Sequence, residues 1–253
     1  MSNLQAIYVL LMRDVKKFVR IKSRLIGSLG MPIFFLVFLS LGFRRAYIPS
    51  LPAEVNYSNF VVPGIVAMVL LFSSIFSGVS VVWDRQFGFL REIIVSPASR
   101  TAIVIGRTLG GAITAILQAF ILLSLSYFIG FNFQISKLPI ALFVMFLISL
   151  TFTSLGILFS VFMRDVHGFQ IIMNFFVFPV FLISGSLFPI SELPPIVKEL
   201  ALLNPLTYGV DALRWSTIGF TEVNPFLDFL AIFISCICFI MLAAYFFGKT
   251  EVE

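Results

Sequence analysis

The side chains able to carry out chemistry are few and scattered in this sequence. Its one histidine, His167, stands in a short charged turn, Met163 to Gly168, with no second ligand or nucleophile nearby. No H-E-x-x-H or G-x-S-x-G occurs and no two carboxylates share an apolar run, so zinc, serine and paired-acid chemistry each lack their parts. Cys236 and Cys238 lie two apart in an apolar run, where a helix turns them away from each other; neither a disulfide nor a metal set follows. Gly248-Lys249-Thr250 has the ending of a phosphate-binding loop, but Ala243 stands where the first glycine must let the backbone curl around phosphate. No catalytic residue, no metal and no cofactor is therefore expected on this chain.

What remains is polar but not reactive. Ser73, Ser74, Ser77 and Ser80 form a small-residue face with Gly78, and Gly106 and Gly110 give a small-xxx-small spacing. Tight helix packing accounts for both, and Ser73, Ser77 and Ser80 also have the chemistry to line a path. Gln118 and Asn174 are the clearest polar residues inside apolar runs; each fits an interhelical hydrogen bond or a substrate contact.

The elements that must hold these residues follow from composition. The 253 residues are 60% hydrophobic and 11% charged, with a mean hydropathy of +1.08, which a water-facing surface of this size does not tolerate. Crossing a bilayer takes about 20 apolar residues, and about six runs qualify: Leu25 to Phe43, Phe60 to Val82, Thr108 to Ile129, Leu138 to Phe162, Phe169 to Leu187 and Phe229 to Phe247. The fold class expected is an all-α polytopic membrane protein of one domain over residues 1–253. No cleavage pattern follows the first run before Arg44 and Arg45, so that run is expected to stay as a span.

Lysines and arginines set the orientation. Arg13, Lys16, Lys17, Arg20, Lys22 and Arg24, then Arg85, Arg91, Arg100 and Arg107, then Arg164 and Lys249 fall on one side, against Arg44, Arg45, Lys137, Lys198 and Arg214. Both termini are thus expected in the cytoplasm. The net charge of +5 reflects this arrangement and calls for no nucleic-acid partner. Arg107 and Asp228 are expected near span ends, within reach of an interface.

Three segments outside the spans carry pattern. Residues 1–24 read as an amphipathic helix, with Leu4, Ile7, Tyr8, Leu11, Val15, Phe18 and Val19 at helical spacing and the charges between them. It fits either an apolar face laid in the headgroup layer or a positive anchor for the first span. Residues 83–100, WDRQFGFLREIIVSPASR, hold an apolar stripe at Phe87, Leu90 and Ile94 that must bury against headgroups or another protein, and Ser96-Pro97 stops the helix. Residues 188–219 divide at prolines into two short helices, Pro194 to Leu203 and Asn204 toward Gly219. They are too charged to span, at Glu192, Lys198, Glu199, Asp211 and Arg214, and too apolar to stand in water. Asp211 and Arg214, three apart, are expected to pair.

In this order, the amphipathic helix, six spans, the charged helix ending in VSPASR, and FPISELPP followed by NPLTYGVDALRW resemble the permease subunits of type-2 ABC exporters, of the daunorubicin-resistance and nodulation-export branch. The resemblance covers nearly the whole chain. It implies two permeases, identical or closely related, that bind two ATP-binding subunits carrying ATP and Mg and export an amphipathic substrate through a prokaryotic inner membrane. It also implies that the loop after the second span couples to the ATPase, through Asp84, Arg85, Gln86, Phe87, Gly88, Phe89, Arg91 and Glu92, with Arg164 and Asp165 as a second contact. Where the family pattern has Glu and Gly-Thr, this chain has Asp84 and Gly88-Phe89. External gate helices are implied over Phe188, Pro189, Pro194, Pro195, Asn204, Pro205, Tyr208, Asp211 and Arg214, while Pro32 and Pro179 become candidate hinges. Ion-coupled transport by the chain alone is the rival expectation.

Overall fold

The computed structural model describes residues 3–43, 46–52, 55–88, 98–163 and 165–249, with every side chain in them except those of residues 22–25. Phe89, Arg91, Glu92 and Arg164, with the rest of the stripe at Leu90 and Ile94, lie outside the described residues. All regular structure among the described residues is helical: α1 Asn3–Arg20, α2 Lys22–Gly42, α3 Tyr57–Ser77, α4 Val79–Gln86, α5 Arg100–Ser126, α6 Leu138–Phe162, α7 Val166–Ile172, α8 Phe178–Ile183, α9 Pro195–Leu203, α10 Pro205–Ile218 and α11 Pro225–Lys249. A π-helical turn, Met173–Val177, joins α7 to α8.

Among the described residues, five helical stretches are long and apolar enough to cross a membrane: Tyr57–Gln86, Arg100–Ile129, Ile135–Phe162, Val166–Ile183 and Pro225–Lys249. The first expected span falls in α2, a 21-residue helix whose apolar part with described side chains is Ile26–Gly42. The molecule is thus a polytopic membrane protein. Ends of the chain meet at one face of the bundle: Asn3 accepts a hydrogen bond from the Ser99 N–H at 3.0 Å, and Arg100 donates to the Gly248 carbonyl.

Helix α3 is the core of the bundle, with Phe60, Val61, Ile65, Val66, Leu70 and Leu71 all essentially buried against α2, α5, α6 and α10. Small residues set its approach to its neighbours. A Cβ on Gly78 would overlap the Gly156 carbonyl, so α3 and α6 cross with backbones touching; of the serine face, Ser74 is buried. Gly106 and Gly110 also give a close contact, but with α1: a Cβ on Gly110 would lie 3.0 Å from the Asp14 Cβ.

That docking changes the reading of α1. Ala6, Leu10 and Phe18 are its buried residues, whereas Leu4, Tyr8 and Val19, expected on the apolar contact face, are exposed. The protein-facing side of α1 carries Arg13 and Asp14, because α5 offers glycines for close approach and Asp84 of α4 offers Arg13 a countercharge. The apolar remainder is left facing outward, as a headgroup-layer helix requires.

Candidate functional site

Asp84 and Arg85 sit in the last turn of α4, where the 27-residue α5 and the carboxyl end of α6 converge. Asp84 accepts from Arg13 at 3.0 Å and from Arg107, so one carboxylate joins α4 to both α1 and α5. Arg107 is 2% exposed. The expectation that it reaches an interface is therefore corrected: its guanidinium is buried, with one terminal nitrogen on Asp84, the other 3.4 Å from Ser80, and its Nε without a partner among the described residues. Arg85 donates to the Val161 and Met163 carbonyls, at 3.3 and 3.0 Å, closing the orphan carbonyls at the end of α6. Beyond these anchored residues Gln86, Phe87 and Gly88 are exposed, Phe87 at 83%, and Gly88 turns the chain with φ of 76°. Asp165 caps α7 by accepting from the Gly168 N–H at 2.7 Å. The residues expected to couple thus divide into a fixed base and an exposed tip.

Above this node lies a cavity of about 740 Å³ walled by α1, α2, α3, α5 and the stretch from Met173 to Phe178. Ser73, Ser77, Ser80 and Asn174 all line it, with Gln118, Phe72, Phe76 and Phe178. Ser77 donates to the Ser74 carbonyl and Ser80 to that of Ser77, both at 2.7 Å, so those hydroxyls are satisfied within their own helix. Asn174 reaches the wall from the π-helical turn just ahead of Pro179. A proline has no N–H to continue the ladder, and a π turn is one way the backbone absorbs that loss. Neither Gln118 nor Asn174 makes an interhelical hydrogen bond among the described residues, so the packing alternative for them is not realised. Asp14 and Lys17 stand on the cavity wall near α4, the Lys17 ammonium 5.3 Å from the centre of the Trp83 ring.

At the opposite end α9 and α10 fold back as the prolines dictate. Pro195 and Pro205 open the two helices, and Asn204 caps α10 by accepting from the Leu206 N–H at 3.0 Å while donating to the Val180 carbonyl at 2.7 Å. Tyr208 donates to the Leu202 carbonyl at 2.6 Å, tying the pair together. Pro189 is buried; Phe188, Pro194 and the α9 side chains Ile196, Leu200 and Leu203 are exposed.

The expected Asp211–Arg214 pair does not form. Arg214 is 1% exposed and donates to the carbonyls of Phe60 at 3.2 Å, Gly185 at 2.6 Å and Ser186 at 3.0 Å. It lies 3.6 Å over the Phe60 ring and pairs with Glu222 at 3.5 Å. Burial pushes its pKa down to about 10 against the pull of Glu222 and Asp211. Asp211 instead accepts from the Thr221 hydroxyl and from the Glu222 and Val223 N–H groups, at 2.8 to 3.0 Å, holding the turn before α11. Burial raises the Glu222 carboxyl above its ordinary value, with Arg214 opposing. A helix-face spacing rule cannot foresee this, since the better partners lie beyond α10, in the turn after it and in distant segments. Asp228, expected near an interface, is fully buried, and both its oxygens lack hydrogen-bond partners among the described residues.

Sequence reasoning missed Arg107 as the Asp84 partner and Glu222 as the Arg214 partner. Arg107 lies between Gly106 and Gly110, and a basic residue inside an apolar helix was the available signal. Nothing marked Glu222.

Comparison with known proteins agrees with this layout. Residues 5–218 match the family model described as ABC-2 type transporter, from α1 through α10. Among curated relatives, ycf38 of Cyanophora paradoxa, named as a transport permease, is 28% identical over 84% of this chain and 74% of its own length. The inner membrane transport permease YadH of Escherichia coli K12 is 22% identical over 83% of this chain and 82% of its own. YbhR of the same organism, named "Probable multidrug ABC transporter permease", is 30% identical over 66% of this chain and 45% of its own length. The amphipathic helix, the node at the base of the charged loop, the walled cavity and the folded-back pair α9–α10 all fall within the matched residues, and the chain belongs to the ABC-2 type transporter family.

Proposed function

We propose that this chain is the membrane-spanning subunit of an ATP-driven exporter, of the daunorubicin-resistance and nodulation-export branch. It works as two permease copies, or one with a close relative, on two ATP-binding subunits that hold ATP and Mg. Its whole length acts as one domain in a prokaryotic inner membrane, with α4 and both termini on the cytoplasmic side. The substrate is an amphipathic or hydrophobic molecule, a drug, a lipid or a lipid-linked glycan. The name of YbhR lends support to a drug, and the phenylalanine-rich cavity wall to any of the three.

The observation that carries the reading is the Asp84 node. The exposed tip at Phe87 continues directly from a turn whose carboxylate holds α1 through Arg13 and α5 through Arg107, and both helices wall the cavity. A push on the tip by a docked ATPase is thereby passed to the cavity through charge-assisted bonds rather than through a slack loop. Movement then opens a path past α9 and α10, with the Arg214 cluster as the fixed point.

The test is co-purification. The tagged chain is extracted from its native membrane in mild detergent, alone and as Phe87→Ala combined with Arg91→Glu. An ATP-binding subunit that accompanies the unmutated chain and is lost from the variant supports the reading. A stable, folded permease with no such companion refutes it. Ion-coupled transport by the chain alone has one observation in its favour, the fully buried carboxylate of Asp228, which lies beside that of Asp211. A proton- or sodium-driven flux in vesicles that disappears in Asp228→Asn would establish that second reading.

A further inference from the structure

We propose that the cavity binds its amphiphile through an uncharged hydrogen-bonding group, an amide, ester or hydroxyl, held by the side-chain amides of Gln118 and Asn174. Gln118 is 4% exposed, lines the cavity, and its amide has no hydrogen-bond partner among the described residues. Its side chain is held by the bundle while the amide opens to the cavity, so a group that enters can complete its bonds. Asn174 shares the wall and is likewise unpartnered among the described residues, and it is presented by a π-helical turn, a departure from α-helix that recurs at functional sites. The Ser73 hydroxyl, with no bond of its own among the described residues, adds a third polar group.

The rest of the lining decides the class of ligand. Phe72, Phe76 and Phe178 surround these amides with apolar surface suited to hydrocarbon. The charged residues of the wall are Asp14 and Lys17, opposite in sign and both on α1. About 12 Å of α5 separates Gly110, which touches Asp14, from Gln118. A net-charged group beside Gln118 would find no countercharge there, whereas a neutral carbonyl or hydroxyl finds both donor and acceptor on each amide. The volume, about 740 Å³, lies in the usual range for small-molecule sites. The inference rests on the exporter reading only for what becomes of the ligand after it binds.

The experiment uses the full chain in nanodiscs and two radiolabelled probes of equal chain length, oleamide and octadecene, with binding to empty discs subtracted. The unmutated protein is expected to bind oleamide more tightly than octadecene. Gln118→Leu and Asn174→Leu should each weaken oleamide about two- to tenfold, the range for one lost hydrogen bond, and leave octadecene unchanged. Asn174 is exposed, so its variant is expected to fold even where a change at buried Gln118 disturbs packing. Equal binding of the two probes, no binding of oleamide, or variants that hold oleamide as the unmutated chain does would each overturn the proposal; the last would mean that water completes the amides. A labelled oleate that binds more tightly than oleamide would also overturn it, in favour of Lys17. Because no nucleotide or ATPase takes part, failure here is separable from failure of the co-purification test.

Discussion

Replacing Arg214 by Met should unseat the outer end of the bundle. The guanidinium is 1% exposed, donates to three carbonyls from two distant segments, and pairs with Glu222. Methionine fills much of the volume but leaves the Phe60, Gly185 and Ser186 carbonyls without this donor and Glu222 without its countercharge. Removing one member of a buried ion pair costs about 3 to 5 kcal/mol, and that figure is the expected loss. Arg214→Lys keeps the charge but not the planar fork, so it should recover only part of it. The assay is denaturant-induced unfolding of the purified protein in detergent, read by near-ultraviolet circular dichroism. Trp215 supplies a signal next to the site. A double variant, Arg214→Met with Glu222→Leu, should be less destabilised than the sum of its parts, since no buried charge is then stranded. An Arg214→Met loss below about 1 kcal/mol, in the range of an exposed pair, would refute the claim that this residue anchors α10 to α3.

Other consequences are local and measurable. Asp84→Asn should destabilise by a similar buried-pair margin, about 3 to 5 kcal/mol, because Arg107 is left without its carboxylate; unfolding of the same preparation tests it. Phe87→Ala, at a side chain 83% exposed, should leave stability within about 0.5 kcal/mol of the unmutated chain. Gly156→Ala should cost about 1 to 3 kcal/mol by overpacking, since the new Cβ would lie 2.5 Å from the Ile75 carbonyl oxygen. The Glu222 carboxyl is raised above its unfolded value by burial, so its contribution to stability is greatest below the unfolded pKa and is lost as pH rises through the folded one. Stability should therefore fall as pH rises upward from about 4.5 through that raised value, and Glu222→Gln should flatten the slope.

Composition and periodicity carried a large part of the molecule. Hydropathy fixed a helical membrane protein, because only helices and closed barrels satisfy backbone groups in hydrocarbon. Prolines marked where α9 and α10 begin, since a residue without an N–H fits the first turn of a helix and not its interior. Small residues at Gly78, Gly106 and Gly110 announced close contacts, and charge spacing marked α1 and the loop after α4. These are local properties, set by each residue's own geometry and its preference for water or hydrocarbon.

Partnership was decided only by tertiary structure. Gly106 and Gly110 receive α1 rather than another span, Asp84 finds Arg13 and Arg107, and Arg214 passes over its neighbour Asp211 for Glu222 and three carbonyls. Gln118 and Asn174 were recognisable as polar residues in apolar runs, but whether each would be paired or left open depended on which helices came to face it. Inside a low-dielectric bundle a buried charge or amide takes whichever partner the packing brings within about 3 Å. Packing is a property of the assembled helices, and no stretch of sequence contains it.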